Sequence, residues 1–296
     1  MIIQRRTLLG ATALLAMPAV AHAQQPELVF AIIPAENASG VTERWNPFTE
    51  YLSNRLGRKV TLRIASDYAA VIEGQRAGNI HIASYGPSSF ARALMTGARI
   101  TAFAIEVNLD GTKGYHSVFY VKTDSPYQKV EDLKGKNLGL VDPNSTSGNN
   151  VPRFALNKMG ITPESFFGRV IYTGSHENAV IALNQGTIDM CANWWNDETE
   201  SNLLRMARKG MVKAEDFRII FKSDQIVNSP LAYLDSLPED LRAGIRAAVL
   251  ELPTARPDVF RRINEGKSAP WQPTTNAEYN PIIELNRFVD GLRRRS

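Results

Sequence analysis

Short apolar runs rich in β-branched residues alternate with longer segments in which apolar residues recur at helical spacing. In the first part of the chain, the runs typical of buried strands are ELVFAII, KVTLRIA, IHIASY, ITAFAIEV and HSVFYVK. The segments YAAVIEGQRAG and PSSFARALMTG between them have the pattern of helices. Strands that alternate with helices predict an α/β fold in which parallel strands are covered on both faces.

The segment from Asn46 to Gly57 carries the start and stop signals of a helix. Asn46 can cap the helix, Pro47 suits its first position, and Gly57 can end it. The apolar residues of one helix face would be Phe48, Tyr51, Leu52 and Leu56. We therefore predict that the first long helix begins at Pro47.

Residues 66–85 and 175–193 share a pattern. Each stretch runs from a turn through an Ala-Val-Ile helix and a glycine to a short apolar strand. Two lobes of similar α/β design would produce this sequence similarity. Chance would also produce it, because all strand-helix-strand units share the same pattern of residues.

A chain of 296 residues is long enough for two domains. We place the crossings between two lobes near residues 114–122 and 217–223, which predicts a hinge of two crossing strands. Lobe 1 would contain residues 26–117 and 219–296, and lobe 2 residues 118–218. Two lobes in an exported chain indicate a clamp that closes on a small ligand.

The first 23 residues have the three regions of an export signal. Arg5 and Arg6 form a positive start, an apolar run follows, and Ala21-His22-Ala23 is a small-x-small end. We predict cleavage after Ala23 and a mature protein in the periplasm. The paired arginines fit either a twin-arginine signal or a Sec signal.

Charge and cysteine content narrow the class of protein. The net charge is +4, and Arg5 and Arg6 belong to the export signal, so the mature chain is too weakly basic to indicate nucleic-acid binding. Cys191 is the only cysteine, which excludes an intrachain disulfide, and its apolar surroundings predict a buried structural thiol. With four histidines and one cysteine, we expect no metal site and no cofactor.

Residues 141–150 read VDPNSTSGNN and lie between a strand-like and a helix-like run. Ser145, Thr146 and Ser147 place three hydroxyl groups at this corner, and Gly148 allows the backbone to come close to a ligand. Helix N-termini attract anions, and ligands of open α/β sheets bind where strands end. A helix cap alone would need one such hydroxyl. The corner, without lysine or arginine, therefore predicts a site for a tetrahedral oxyanion that is later released.

Several segments together resemble the periplasmic phosphonate-binding proteins of phosphonate ABC transporters. They are DPNSTSG, TGSHENAVIAL, SDYAAVIEGQRAG and DGTKGYHSVFYVK, with RWNPF, IASYG and APWQP, and they lie between about residues 28 and 275. The resemblance implies a two-lobe type II periplasmic binding protein fold that closes on its ligand. It also implies the membrane permease and ATPase of an ABC importer as partners, and we expect a monomer.

The resemblance also implies which residues hold the phosphonate group. Ser145, Thr146 and Ser147 would bind it together with His176 of the same lobe. Tyr68 and Tyr115 would close from the other side. The residue types suit the role, because tyrosine and serine hydroxyls donate hydrogen bonds and a histidine donates better to an anion when it is protonated.

The sequence departs from the family pattern where members that hold 2-aminoethylphosphonate use acidic residues for the ligand amine. One acidic position falls at Asn196 or Asp197, and the other falls at Asn228. Burying an ammonium without a counter-charge costs on the order of several kcal/mol, so the alternative ligands are a different organophosphonate or a smaller one such as methylphosphonate or phosphite. Trp194 and Trp195 could contact a cationic tail or simply pack at the cleft rim.

Other functions remain open at this point. The same fold could bind phosphate, sulfate or a sulfonate, or could serve a sensor instead of a transporter. Ser147, His176 and Asp189 could be recruited as a hydrolase triad, but the Gly-x-Ser-x-Gly nucleophile pattern is absent, so we expect no enzyme. Trp45 and Trp271 are interpreted as core or interlobe packing.

Overall fold

The computed structural model describes residues 26–294, so the predicted export signal lies outside the described residues. The strands are β1 Leu28–Ile32, β2 Val60–Ile64, β3 Ile82–Ser84, β4 Ile100–Asn108, β5 Gly114–Lys122, β6 Asn137–Leu140, β7 Arg169–Tyr172, β8 Met190–Asp197, β9 Glu200–Ser201, β10 Phe217–Lys222, β11 Ile226–Val227, β12 Pro230–Leu234 and β13 Ser268–Gln272. The α-helices are α1 Ala38–Leu56, α2 Tyr68–Arg76, α3 Pro87–Met95, α4 Val151–Lys158, α5 Pro163–Phe166, α6 His176–Asn184, α7 Asn202–Arg208, α8 Glu239–Ala255, α9 Pro257–Asn264 and α10 Asn280–Arg293. The predicted α/β class is confirmed.

The first sheet has six strands in the order β13-β4-β12-β3-β1-β2. Strand β1 pairs in parallel with β2 and β3, as the alternation of strands and helices predicts. Strand β12 pairs antiparallel with β3 and β4, and β13 pairs antiparallel with β4. The prediction of parallel strands is therefore wrong for these pairs, because β4 leads out of the sheet and β12 brings the chain back.

The second sheet has the order β10-β5-β8-β6-β7, with β9 beside β8 and β11 beside β5. Here β6 pairs in parallel with β7 and β8, whereas β5 pairs antiparallel with β8 and β10. The parallel parts of the two sheets have the same strand order, β2-β1-β3 and β7-β6-β8. The sequence similarity falls on the equivalent helix–strand units α2–β3 and α6–β8.

The chain passes between the two sheets twice. Residues 109–113 connect β4 to β5, and residues 223–229, which include β11, connect β10 to β12. Strands β5 and β10 belong entirely to the second sheet and pair with each other. The predicted lobe boundaries at residues 117/118 and 218/219 therefore fall inside these two strands.

Helix α1 begins at Ala38, so the prediction of a start at Asn46 and Pro47 is wrong. Trp45 lies on the buried face of the extra turns, 5.4 Å from the ring of Phe30 and 6.4 Å from Trp271. Pro47 lies inside the helix and removes one backbone N–H donor, a cost that burial of this aromatic cluster offsets. The predicted end at Gly57 is confirmed by its left-handed φ of 61°.

Each sheet is covered by apolar side chains on both faces. Trp45 and Trp271 are buried in the core of the first sheet, as predicted. Cys191 is fully buried against the second sheet without a disulfide partner, and burial raises the pKa of its thiol. Among residues 26–294, no helix is long and apolar enough to span a membrane.

Candidate functional site

A cavity of about 160 Å³ lies between the two sheets and is lined by residues of both. By the volume that one water needs, it would hold on the order of ten water-sized groups. Nine of the predicted site residues line it: Tyr68, Tyr115, Ser145, Thr146, Ser147, His176, Trp194, Asn196 and Asn228. We call the part around Ser145, Thr146 and Ser147 the hydroxyl corner.

The hydroxyl corner is a π-type turn at Thr146–Asn150 that leads into α4. Ser145 caps this turn, because its Oγ accepts a 3.1 Å hydrogen bond from the Gly148 N–H. A Cβ on Gly148 would lie 2.4 Å from a Val141 methyl carbon. The glycine is therefore required for packing against Val141.

Helix α3, which follows β3 of the first sheet, has its N-terminus at the hydroxyl corner. The Ser88 N–H donates a 2.8 Å hydrogen bond to Thr146 Oγ1. Asn286 supports the contact from α10, because it accepts a 2.7 Å hydrogen bond from the Asn150 amide and donates a 2.9 Å bond to the Ser88 carbonyl. Two helix N-termini thus converge on one small space, which favours a bound anion.

Two phenols complete the hydroxyl corner. Tyr68 comes from α2 of the first lobe and lies beside Ser145. Tyr115 lies beside Thr146 and Ser147 on β5 of the second lobe, so the expectation that it closes from the opposite side is wrong. Burial raises the pKa of Tyr68 and raises the pKa of Tyr115 to about 12, so both phenols keep their protons and can donate. Ser145, Thr146 and Ser147 are each only 2 % exposed, so an anion bound here would be largely removed from water.

His176 is the first residue of α6, the position equivalent to that of Tyr68 in α2. Its Nδ1 lies 3.0 Å from Asn193 Oδ1, and that oxygen also accepts from the Trp194 N–H at 2.9 Å. An oxygen acceptor fixes the ring proton on Nδ1, which leaves Nε2 as an acceptor 3.4 Å from Ser145 Oγ. Burial lowers the pKa of His176 to about 4. The imidazole is therefore neutral at physiological pH.

The hydrolase arrangement is not formed. The ring nitrogen that would face an orienting carboxylate contacts Asn193 instead. Asp189 accepts a 2.8 Å hydrogen bond from the Asn137 backbone, at the start of β6. An uncharged amide behind His176 gives no stabilisation to an imidazolium, which triad chemistry requires.

Strand alternation decides which residues of β8 reach the cavity. Trp194 and Asn196 line it, whereas Trp195 and Asp197 do not. The Trp195 ring lies 5.7 Å from the ring of His116 and has Lys222 over one face at 4.5 Å. Asp197 accepts three hydrogen bonds from the following turn. Of the two alternatives for the first acidic position, Asn196 is the residue in the cavity.

The Trp194 ring carries the guanidinium of Arg205 at 5.0 Å, so a cation of the protein already uses one of its faces. Asn196 and Asn228 meet at Asn108, whose Oδ1 accepts from both amides at 3.2 and 3.4 Å. Asn228 also donates to the Glu106 carbonyl at 3.0 Å. This amide cluster is uncharged and replaces the acidic pair that the resemblance leads one to expect.

Sequence reasoning missed the charged end of the cavity. Glu36, Arg44, Glu106, Arg205 and Asn264 also line the cavity, and we call the part that they form the charged end. Arg44 and Glu36 form an ion pair, and Arg205 pairs with Glu200 at 2.5 Å. The available signal was Glu106, a charged residue inside the otherwise apolar strand run ITAFAIEV. In residues 26–294, no group of three or more His, Cys, Asp or Glu could hold a metal ion.

The two sheets, the double crossing and the cavity between them define a periplasmic binding protein of two lobes. A family model described as the periplasmic substrate-binding protein of phosphonate ABC transporters matches residues 30–279. The chain belongs to this family.

Curated relatives and a solved structure agree with this assignment. The phosphonates-binding periplasmic protein of Escherichia coli is 33% identical over 92% of this chain and 80% of its own length. The phosphate-import protein PhnD of Mycolicibacterium smegmatis is 32% identical over 72% of this chain and 68% of its own length. The binding protein component of an ABC phosphonate transporter from Pseudomonas aeruginosa superposes with a TM-score of 0.81 at 27% identity, covering 91% of this chain and 88% of that one.

Proposed function

We propose that this protein captures a phosphonate in the cleft and delivers it to the permease and ATPase of an ABC importer. The observation that carries the proposal is the hydroxyl corner, where buried hydroxyl groups from both lobes face one cavity end. Its members are Tyr68, Tyr115, Ser145, Thr146 and Ser147.

The chemistry of the hydroxyl corner suits capture and release. Among the described residues, no lysine or arginine hydrogen-bonds to Ser145, Thr146 or Ser147. Hydroxyl and backbone N–H donors stabilise a PO₃ group through several directed hydrogen bonds without a direct ion pair. Such a site binds an oxyanion tightly while the lobes are closed and loses the groups of the first lobe, Tyr68 and the start of α3, when they separate.

A phosphonate fits better than phosphate or sulfate for two reasons. The neutral Nε2 of His176 can accept a hydrogen bond from the P–OH of a monoanion, whereas sulfate and sulfonates carry no proton at neutral pH. The cavity also continues from the hydroxyl corner to the charged end. Phosphate would leave that continuation unfilled, while the carbon substituent of a phosphonate would enter it.

The proposal includes a mechanism of lobe closure. The segments 109–113 and 223–229 would act as the hinge between a lobe built on the first sheet and a lobe built on the second. Contacts between the lobes include the bond from Ser88 to Thr146 and a 2.8 Å bond from the Asn37 N–H to Glu177. These contacts form only when the lobes meet, so ligand-bound closure would strengthen them.

We further propose that the protein acts as an exported monomer without catalytic activity. The cavity is complete within one chain, and the amide behind His176 supports binding rather than proton transfer. Export would use the signal that ends at Ala23.

A thermal-shift panel on residues 24–296 tests the proposal, because a ligand that binds only the folded state raises its apparent stability. The panel contains methylphosphonate, 2-aminoethylphosphonate, phosphite, phosphate, sulfate and taurine, with calorimetry on each hit. We expect a phosphonate to stabilise most, and Ser147→Ala and His176→Ala to weaken its binding. Ser165→Ala, at an exposed position, is the control. No shift with any phosphorus anion, or unchanged affinity in both site variants, would overturn the proposal.

A further inference from the structure

The charged end of the cavity contains one carboxylate without a partner. Glu106 lies on β4 and lines the cavity. Within residues 26–294 its side chain makes no hydrogen bond and no ion pair, whereas Glu36 and Glu200 nearby are both paired with arginine. Burial raises the pKa of Glu106, although Arg205 and Arg44 act in the opposite direction. A half-buried carboxylate in this situation gains most from a cationic ligand group.

The same end of the cavity also contains donors without acceptors. Arg44 Nε, Trp45 Nε1 and Asn264 Nδ2 are buried and have no hydrogen-bond partner in the described chain. All three residues are among those that line the cavity, and Asn264 is only 6 % exposed. Arg44 and Asn264 are neighbours, because the Arg44 guanidinium donates a 2.5 Å hydrogen bond to the Ile263 carbonyl. Unsatisfied buried donors of this kind call for an oxygen acceptor.

The charged end is within reach of the hydroxyl corner. Glu106 and Tyr115 line the same cavity. Asn228 connects the two ends, since it lines the cavity and donates to the Glu106 carbonyl. A ligand whose PO₃ group occupies the hydroxyl corner would therefore direct its carbon tail past Asn228 towards Glu106.

We propose that the charged end is a tail subsite for a phosphonate that carries both an ammonium group and an oxygen acceptor, as an amino acid head group does. Glu106 accepts from the ammonium, and Arg44, Trp45 and Asn264 donate to the oxygen. This inference rests on the proposed function and refines its substrate class. It also restores an ammonium partner to a chain that has Asn196 and Asn228 at the two expected acidic positions.

Calorimetry with four commercial phosphonates tests the subsite. Methylphosphonate has no tail group, 2-aminoethylphosphonate has the ammonium, 3-phosphonopropionate has the carboxylate, and 2-amino-3-phosphonopropionate has both. We expect the last to bind the wild-type protein about tenfold or more tighter than methylphosphonate. Glu106→Gln should reduce this preference about tenfold or more. Asn264→Ala should weaken the binding of 3-phosphonopropionate and 2-amino-3-phosphonopropionate and leave the binding of the two ligands without a carboxylate unchanged. Glu131→Gln, which removes an exposed charge, is the matched control.

The outcomes separate the two proposals. Binding of methylphosphonate with no gain from either tail group would overturn the tail subsite and leave the proposed function intact. The tail subsite would also be overturned if Glu106→Gln kept the preference for 2-amino-3-phosphonopropionate. It would likewise be overturned if 2-aminoethylphosphonate bound most tightly and Asn264→Ala had no effect. Failure of all four compounds to bind would overturn the proposed function itself. Circular dichroism of each variant verifies that it is folded.

Discussion

The backbone N–H of Ser88, at the start of α3, donates a 2.8 Å hydrogen bond to the side-chain oxygen of Thr146 in the opposite lobe. The bond uses the Thr146 oxygen as an acceptor, so it does not occupy the hydroxyl proton. One hydroxyl group can thus contribute to lobe closure and to anion binding together.

Thr146→Val removes this hydroxyl while it preserves the shape of the side chain. We expect phosphonate affinity to fall by about 10- to 100-fold, because hydrogen bonds to charged groups contribute about 1.5–3 kcal/mol. Isothermal titration calorimetry measures the change. Thr275→Val, at an exposed position, should bind as the wild type does. Equal affinity of the Thr146 and Thr275 variants would show that the hydroxyl corner is not the anion site.

His176 should make the empty protein sensitive to acid. Its pKa is about 4 in the folded chain against an ordinary 6.5, so the unfolded chain binds a proton first as pH falls. The stability gained from burying a neutral imidazole is present above about pH 6.5 and is lost as pH falls towards 4, by about 3 kcal/mol in total. Urea unfolding at several pH values measures this loss.

His176→Gln keeps a polar side chain but cannot titrate, so it separates this effect from that of the carboxylates. The variant should lose less stability than the wild type between pH 6.5 and 4. Parallel stability curves for the two proteins over that window would contradict the assignment of a neutral, buried imidazole.

Gly148 is required by packing and not by its backbone angle. In Gly148→Ala the new Cβ would lie 2.4 Å from the Val141 methyl carbon, which should cost about 1–3 kcal/mol of folding stability. Gly40→Ala in α1 is a control with open space, because its Cβ would meet nothing closer than 3.8 Å. We expect that variant to be slightly more stable than the wild type, because alanine favours a helix. Thermal unfolding measures both.

The double variant Val141→Ala with Gly148→Ala provides the further check on this explanation. Removing the Val141 methyl carbons makes room for the new Cβ, so the double variant should recover stability relative to Gly148→Ala with Val141 intact. An additive further loss would mean that Gly148 is needed for another reason.

Glu106 should destabilise the protein when the cleft is empty. Burial raises the pKa of Glu106 above its ordinary value. As pH rises from the ordinary pKa through the folded pKa, the carboxyl group ionises more readily in the unfolded chain, so the folded state loses stability. Glu106→Gln should therefore stabilise the ligand-free protein at neutral pH by about 1 kcal/mol. Chemical unfolding measures this gain, and a loss of stability would show that Arg44 and Arg205 depend on the Glu106 charge.

The fold was predictable where local pattern decides the structure. Apolar runs identified the strands, and the Gly57 stop signal was correct. The direction of β4 against β12 was not predictable, because it follows from where the chain crosses between lobes. The start of α1 was missed, because Pro47 imitates a first helical position and the burial of Trp45 against Trp271 is a long-range contact.

The candidate site shows the same division. The three hydroxyl residues Ser145, Thr146 and Ser147 are one continuous motif, and the sequence alone predicted that they lie beside a cleft. The charged end combines Glu36 and Arg44 of one segment with Glu106, Arg205 and Asn264 from three distant parts of the chain. The neutral state of His176 also required the structure, because it depends on burial and on the Asn193 oxygen.

A crystal structure with methylphosphonate is the measurement that tests the central claim most directly. We predict closed lobes, with phosphonate oxygens within about 2.5–3.0 Å of the hydroxyl oxygens of Thr146, Ser147 and Tyr115. The methyl group should point towards Asn228 and the charged end. An anion bound away from the hydroxyl corner, or one held by Arg44 and Arg205 instead, would contradict this account.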